Sequence, residues 1–98
     1  MEVQVVNKDT LKVVGRIDTA TCGEFQQQAL AALENAGDRL VLELEGLDYI
    51  SSAGLRALLV LATCAQRRQT EVVLCNVQHL VREVLEMSGF DSFFTIRD

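Results

Sequence analysis

The stretch Leu47-Asp48-Tyr49-Ile50-Ser51-Ser52-Ala53-Gly54-Leu55 sets two hydroxyls and a glycine between a short apolar run and a long helical one. A helix starting at these serines offers unpaired N–H groups and the positive end of its dipole, a combination that receives a phosphoryl group or another anion. Gly54, in the first turn, would let the backbone or a partner approach closely. A phosphate on Ser52 is therefore structurally tolerable, and Ser51 is the alternative acceptor. The same residues suit a purely structural task, because serine is among the commonest N-cap residues. The loop's chemistry alone leaves both readings open.

Other chemistry finds little support. A nucleophile needs a base, and the single histidine, His79, lies in another segment, with no Gly-x-Ser-x-Gly elbow around either serine. No Gly-x-x-x-x-Gly-Lys loop is present, so any ATP is expected on a partner rather than on this chain. The chain is read as a non-enzyme, with His79 on a helix surface or in a first turn. Cys22, Cys64 and Cys75 are odd in number and lack metal-ligand spacing, and each lies among apolar neighbours. No metal or cofactor is expected, and a reducing compartment fits.

The elements that must hold the serine loop follow from turn signals and periodicity. Val3 to Val6 and Leu11 to Ile17 are β-rich and separated by Asn7-Lys8-Asp9-Thr10, which predicts an opening hairpin. Asp18 or Thr19 can cap a helix carrying Phe25, Ala29, Ala32, Leu33 and Ala36 at helical spacing, with Gly37 ending it. Leu40 to Leu44 reads as a buried strand, and Gly46 and Asp48 mark the loop after it. A helix is predicted from Ser52 to about Arg68, then a strand over Glu71 to Cys75. Asn76 is a candidate cap for a third helix lined by Val77, Leu80, Val81, Val84 and Leu85, which Gly89 stops. Phe93 to Ile96 is a plausible last strand. The expectation is one α/β domain over residues 1–98. It has a mixed, mostly parallel central sheet of about five strands, an N-terminal β-hairpin and three helices.

The second predicted helix carries one apolar stripe of Leu55, Leu58, Leu59, Ala62 and Ala65, and another of Ala57, Val60, Leu61 and Cys64. One sheet and one neighbouring helix need not cover both, so the second stripe is either core or the edge of a docking face. Charge narrows the partner. The net charge is −5, and no basic run is longer than Arg67-Arg68, so nucleic acid is not an expected partner. The start lacks a basic and apolar leader, and the most apolar stretch, Ala53 to Ala65, contains Arg56 and is too short to span a bilayer. A cytoplasmic protein without direct membrane insertion is expected.

The segment Tyr49-Ile50-Ser51-Ser52-Ala53-Gly54-Leu55-Arg56 resembles the signature loop of STAS domains, the family of bacterial anti-sigma factor antagonists. Gly15-Arg16-Ile17-Asp18 is similar to the family's Gly-x-Leu-Asp turn, and Ser88-Gly89-Phe90 with Phe93-Phe94 to its C-terminal pattern. Phosphorylated members commonly read Asp-Ser-Ser/Thr-Gly-Leu, which on Gly54-Leu55 puts the acceptor on Ser52 and Ser51 at the aspartate position. The resemblance brings Asp18 towards the switch serine. It implies partner switching: the unmodified antagonist binds an anti-sigma factor that is also a serine protein kinase, releasing a sigma factor. Phosphorylation then ends binding, and a serine phosphatase restores it. The expected contact surface comprises Asp18, Tyr49, Ser51, Ser52, Gly54 and Arg56 together with Ala57, Val60 and Leu61 from the second apolar stripe, and the chain is expected to be a monomer on its own. The rival expectation is a constitutive STAS docking module of a lipid-transport ATPase complex or stress-signalling scaffold, without a phosphate.

Overall fold

The computed structural model describes residues 1–97. Strand β1 (Glu2–Asn7) runs antiparallel to β2 (Thr10–Ile17), forming the expected hairpin. Its turn is tied by Asn7 Oδ1, which accepts the Asp9 N–H at 2.9 Å. Helix α1 (Cys22–Asn35) follows and buries Phe25, Ala29 and Leu33 at four-residue spacing. It starts later than expected, and neither Asp18 nor Thr19 is its cap. Thr21 holds the N-cap position, while Asp18 builds the turn leading to it, its Oδ1 accepting the N–H groups of Ala20 at 3.0 Å and Thr21 at 3.1 Å.

Strands β3 (Arg39–Glu43), β5 (Glu71–Cys75) and β6 (Thr95–Arg97) extend the sheet in the order β1-β2-β3-β5-β6, parallel after the hairpin. A further strand, β4 (Leu47–Ile50), lies where a loop was expected. The described sheet thus has six strands, not about five. The first part of β2 pairs with β3 from Thr10↔Val41 to Lys12↔Glu43, and its last part pairs with β4 from Gly15↔Leu47 to Ile17↔Ile50. Between the two, the offset of partner residues grows by two, so β4 is β3 resumed after a slip along the same neighbour. The step is held where Gly15 N–H donates to Gly46 C=O at 2.8 Å, with Gly15 at φ +107°, a region that disfavours side chains.

Leu11, Val13, Leu40, Leu42, Val72 and Leu74 are buried in one cluster with Phe25, Leu33, Leu58, Leu61, Val81 and Leu85 of the helices. Each such side chain contributes about 1.5–3 kcal/mol relative to exposure. Helix α2 (Ser52–Arg67) agrees with expectation. Helix α3 (His79–Ser88) is capped at Gln78 rather than Asn76, which takes φ +55°, so Val77 precedes the helix. Gly89 ends α3 in the left-handed conformation, and a single 3₁₀ turn, Phe90–Phe93, comes before β6. Phe93 therefore belongs to that turn and not to the last strand.

Candidate functional site

The two parallel strands β2 and β4 end together, and their ends position the serines. Ile17 pairs with Ile50, and the next N–H, that of Ser51, donates to Ile17 C=O at 2.8 Å. Ser51 is extended (φ −88°, ψ 174°) and is the N-cap of α2. Its Oγ accepts the Gly54 N–H at 3.2 Å, and its C=O accepts the Leu55 N–H at 2.9 Å. One of the helix's orphan donors is thereby satisfied. Ser52 is the first helical residue and is exposed. The capping task and the free hydroxyl thus fall on different serines.

Gly54 is buried, and the close approach it permits is internal. A Cβ there would lie 2.7 Å from Ile50 Cγ1, 2.8 Å from Ile17 Cγ2 and 3.1 Å from the Ile17 carbonyl oxygen. The first turn of α2 therefore rests directly on the ends of β2 and β4. Of the two close approaches expected of this glycine, that of the chain's own backbone is the one present, and a partner cannot reach the buried Gly54.

Beside the serines stands a cluster that sequence reasoning found only in part. Asp18 follows Ile17 as Ser51 follows Ile50, which brings the two loops together. Arg16 Nε lies 3.4 Å from Asp18 Oδ2, and the Arg16 guanidinium carbon sits 4.7 Å from the centre of the Tyr49 ring, a cation–π stack on a half-exposed tyrosine. Thr21 Oγ1 accepts the Asp18 N–H at 2.9 Å and lies within donating distance of Arg16 C=O (3.0 Å) and Asp18 Oδ1 (3.1 Å). Desolvation alone would push the Asp18 carboxyl up. The hydrogen bonds from Thr21 and Ala20 and the charge of Arg16 outweigh it and hold the carboxyl below its ordinary value. The Arg16–Tyr49 stack depends on the β2–β4 register, which no local pattern encodes, whereas the contacts of Asp18 with Thr21 and Arg16 are local, and Thr21 as the N-cap was the signal within reach.

The remaining predicted contact residues separate. Arg56 is exposed and Val60 half-buried, while Ala57 and Leu61 are 2% and 0% exposed and belong to the core. These two cannot touch a partner in this conformation, because α1 and the sheet already cover their side of α2. His79 is exposed on the first turn of α3, with Nε2 3.7 Å from Glu83 Oε1. The three cysteines are free and half-buried. No helix among the described residues is long and apolar enough to cross a membrane.

A parallel-stranded sheet whose strand ends present a serine-capped helix, behind an antiparallel hairpin, is the architecture of a STAS domain. The STAS domain family model matches residues 1–98, and the chain belongs to that family. Among individual relatives it is 42% identical over 82 residues to BtrV of Bordetella bronchiseptica, which is named as an anti-sigma factor antagonist. That match covers 84% of this chain and 71% of BtrV. Solved structures share the fold at lower identity. An anti-sigma factor antagonist from Mycobacterium paratuberculosis superposes with a TM-score of 0.84 at 20% identity, covering 98% of this chain and 84% of that one. The anti-sigma factor antagonist SpoIIAA in its unphosphorylated form gives 0.76 at 18% identity, covering 97% and 85%. The phosphorylated form of SpoIIAA, a Bacillus cell fate determinant, gives 0.70 at 17% identity, covering 97% and 88%.

Proposed function

We propose that this protein is an anti-sigma factor antagonist whose binding is switched off by phosphorylation of Ser52. The observation that carries the reading is the division of labour between the serines. Ser51 is committed to capping α2, whereas Ser52 is exposed at the helix's first position. The identity with BtrV, an anti-sigma factor antagonist by name, supports the regulatory class. In this reading the unmodified chain binds an anti-sigma factor that is also a serine kinase, in the cytoplasm, and the sigma factor is freed.

The kinase then transfers the γ-phosphoryl group of its bound ATP to Ser52. The Oγ–P bond forms, the bond to the ADP leaving oxygen breaks, and the hydroxyl proton passes to a base on the kinase. A serine phosphatase reverses the change by hydrolysis. The added charge of about −1.5 to −2 at the centre of the contact surface repels and crowds the partner. That surface takes in Asp18, Tyr49, Ser52, Arg56 and Val60, with Arg16 added by its stack on Tyr49. Arginine and tyrosine suit the centre of an interface, where residues of these types carry much of the binding energy.

Intact-mass measurement and phosphosite mapping of the protein from its native cells tests the reading, with Ser51→Ala and Ser52→Ala forms alongside. One phosphoryl group that disappears only in Ser52→Ala supports it. Absence of phosphate under every growth condition refutes the switch and leaves a constitutive docking module.

A further inference from the structure

We propose that Arg56 is the internal counter-charge for a phosphoryl group on Ser52, so that modification also withdraws this arginine from the partner-facing surface. The inference rests on the Ser52 switch and adds how its off-state is built. Ser52 and Arg56 are four residues apart in α2 and both exposed, so they lie one above the other on the same face, about 5–6 Å apart at Cβ. The order is the favourable one, with the anion towards the helix N-terminus and the cation a turn further on. A guanidinium matches phosphate with two parallel N–H donors.

Competition for these groups is absent from the first turn of α2, which holds no acidic residue. Among the described residues, the Arg56 guanidinium has no ion pair or side-chain hydrogen bond. The other cation near the serines, Arg16, is already engaged with Asp18 at 3.4 Å and with the Tyr49 ring at 4.7 Å. A phosphoryl group on Ser52 therefore meets a free arginine along its own helix and an occupied one across the strands. Pairing with Arg56 changes the surface twice: an anion is added, and the cation beside it is neutralised.

The test installs phosphoserine at position 52 during translation, which needs no kinase, and follows the phosphate by ³¹P NMR across pH. The second phosphate pKa is about 6 without a partner. It is expected to lie lower by about 0.2–0.4 in the otherwise unchanged chain than in Arg56→Gln, because a nearby cation favours the dianion. Arg56→Lys should restore most of that difference, and Arg16→Gln should leave the titration where it was. At 1 M salt, where the screening length is about 3 Å, the difference should shrink. Identical curves for the unchanged chain and Arg56→Gln, or a displacement produced by Arg16→Gln instead, overturn the assignment. Failure to find phosphate in native cells would sink the switch while leaving this measurement intact, so the two ideas fail separately.

Discussion

Replacing Gly54 with alanine tests whether α2 is seated on the strand ends as closely as the geometry indicates. Gly54 does not need a left-handed backbone, so the substitution adds only a methyl group and the helix propensity of alanine. Propensity favours the variant by up to about 1 kcal/mol. Against it, the new Cβ would stand 2.7 Å from Ile50 Cγ1, 2.8 Å from Ile17 Cγ2 and 3.1 Å from the Ile17 carbonyl oxygen. That carbonyl also accepts the Ser51 N–H, so it cannot retreat without loosening the start of α2. Overpacking costs about 1–3 kcal/mol, and a clash with three atoms, one of them a hydrogen-bonded backbone carbonyl, puts this case in the upper half of that range, at about 2–3 kcal/mol, which leaves a net loss of about 1–2 kcal/mol. For a domain of this size the melting temperature should fall by roughly 5–15 °C. Thermal melts followed by circular dichroism, on Gly54→Ala, Ile50→Ala and the double variant, measure both the loss and its cause. Ile50→Ala removes the nearest clashing atom, so the cost of Gly54→Ala in that background should drop by about half, a coupling of about 0.5–1 kcal/mol. A Gly54→Ala protein that melts at or above the parent, or a cost unaffected by Ile50→Ala, would refute the reasoning.

The two serines should differ in stability as they differ in position. Ser51→Ala loses the cap and should cost about 1 kcal/mol, while Ser52→Ala should stay within about 0.5 kcal/mol, both read from urea denaturation midpoints. The depressed pKa of Asp18 means that its ionised form stabilises the fold at pH values above the ordinary carboxylate value of 3.8, and that this contribution is lost as pH falls through the lower folded value. The stability gap between the parent and Asp18→Asn should therefore be full at neutral pH and close as the solution is acidified below pH 3.8, in denaturation midpoints measured across pH. On α2, Leu61→Ala should destabilise by about 2–5 kcal/mol as a core truncation. Val60→Glu should keep the fold, by circular dichroism, and weaken binding to the anti-sigma factor.

What could be read from the chain alone follows the range of the interactions involved. Strand β5 and helix α2 lie where their apolar patterns put them, because each pattern is complete within its own segment. Strand β4 was hidden by its own register: Leu47 and Ile50 are buried with Asp48 and Tyr49 exposed between them, a spacing that breaks the two-residue alternation of a strand. The slip that produces this spacing is compensated on β2, more than thirty residues away. Asp18 was expected to cap α1 and instead shapes the turn before it, with Thr21 at the N-cap, because several neighbouring polar residues can each take that position and local pattern does not choose between them. The two stripes of α2 could not be told apart by periodicity, since burial of Ala57 and Leu61 is decided by what packs over them.

The packing around Ser52 also constrains how a switch at this position can work. Ser51 is fixed at both ends, by the Ile17 carbonyl and by the Gly54 N–H, and Gly54 has no free space towards Ile17 and Ile50. Close-packed interiors resist small displacements, so the helix start has no slack through which a modification could be passed to the core. Phosphate at a helix N-terminus is moreover electrostatically favourable to the helix itself. A phosphoryl group on Ser52 would then leave the fold as it is and act through the surface alone, by charge, by bulk and by its hold on Arg56. Such a device can be reset by a phosphatase without refolding, which is what a reversible partner switch requires.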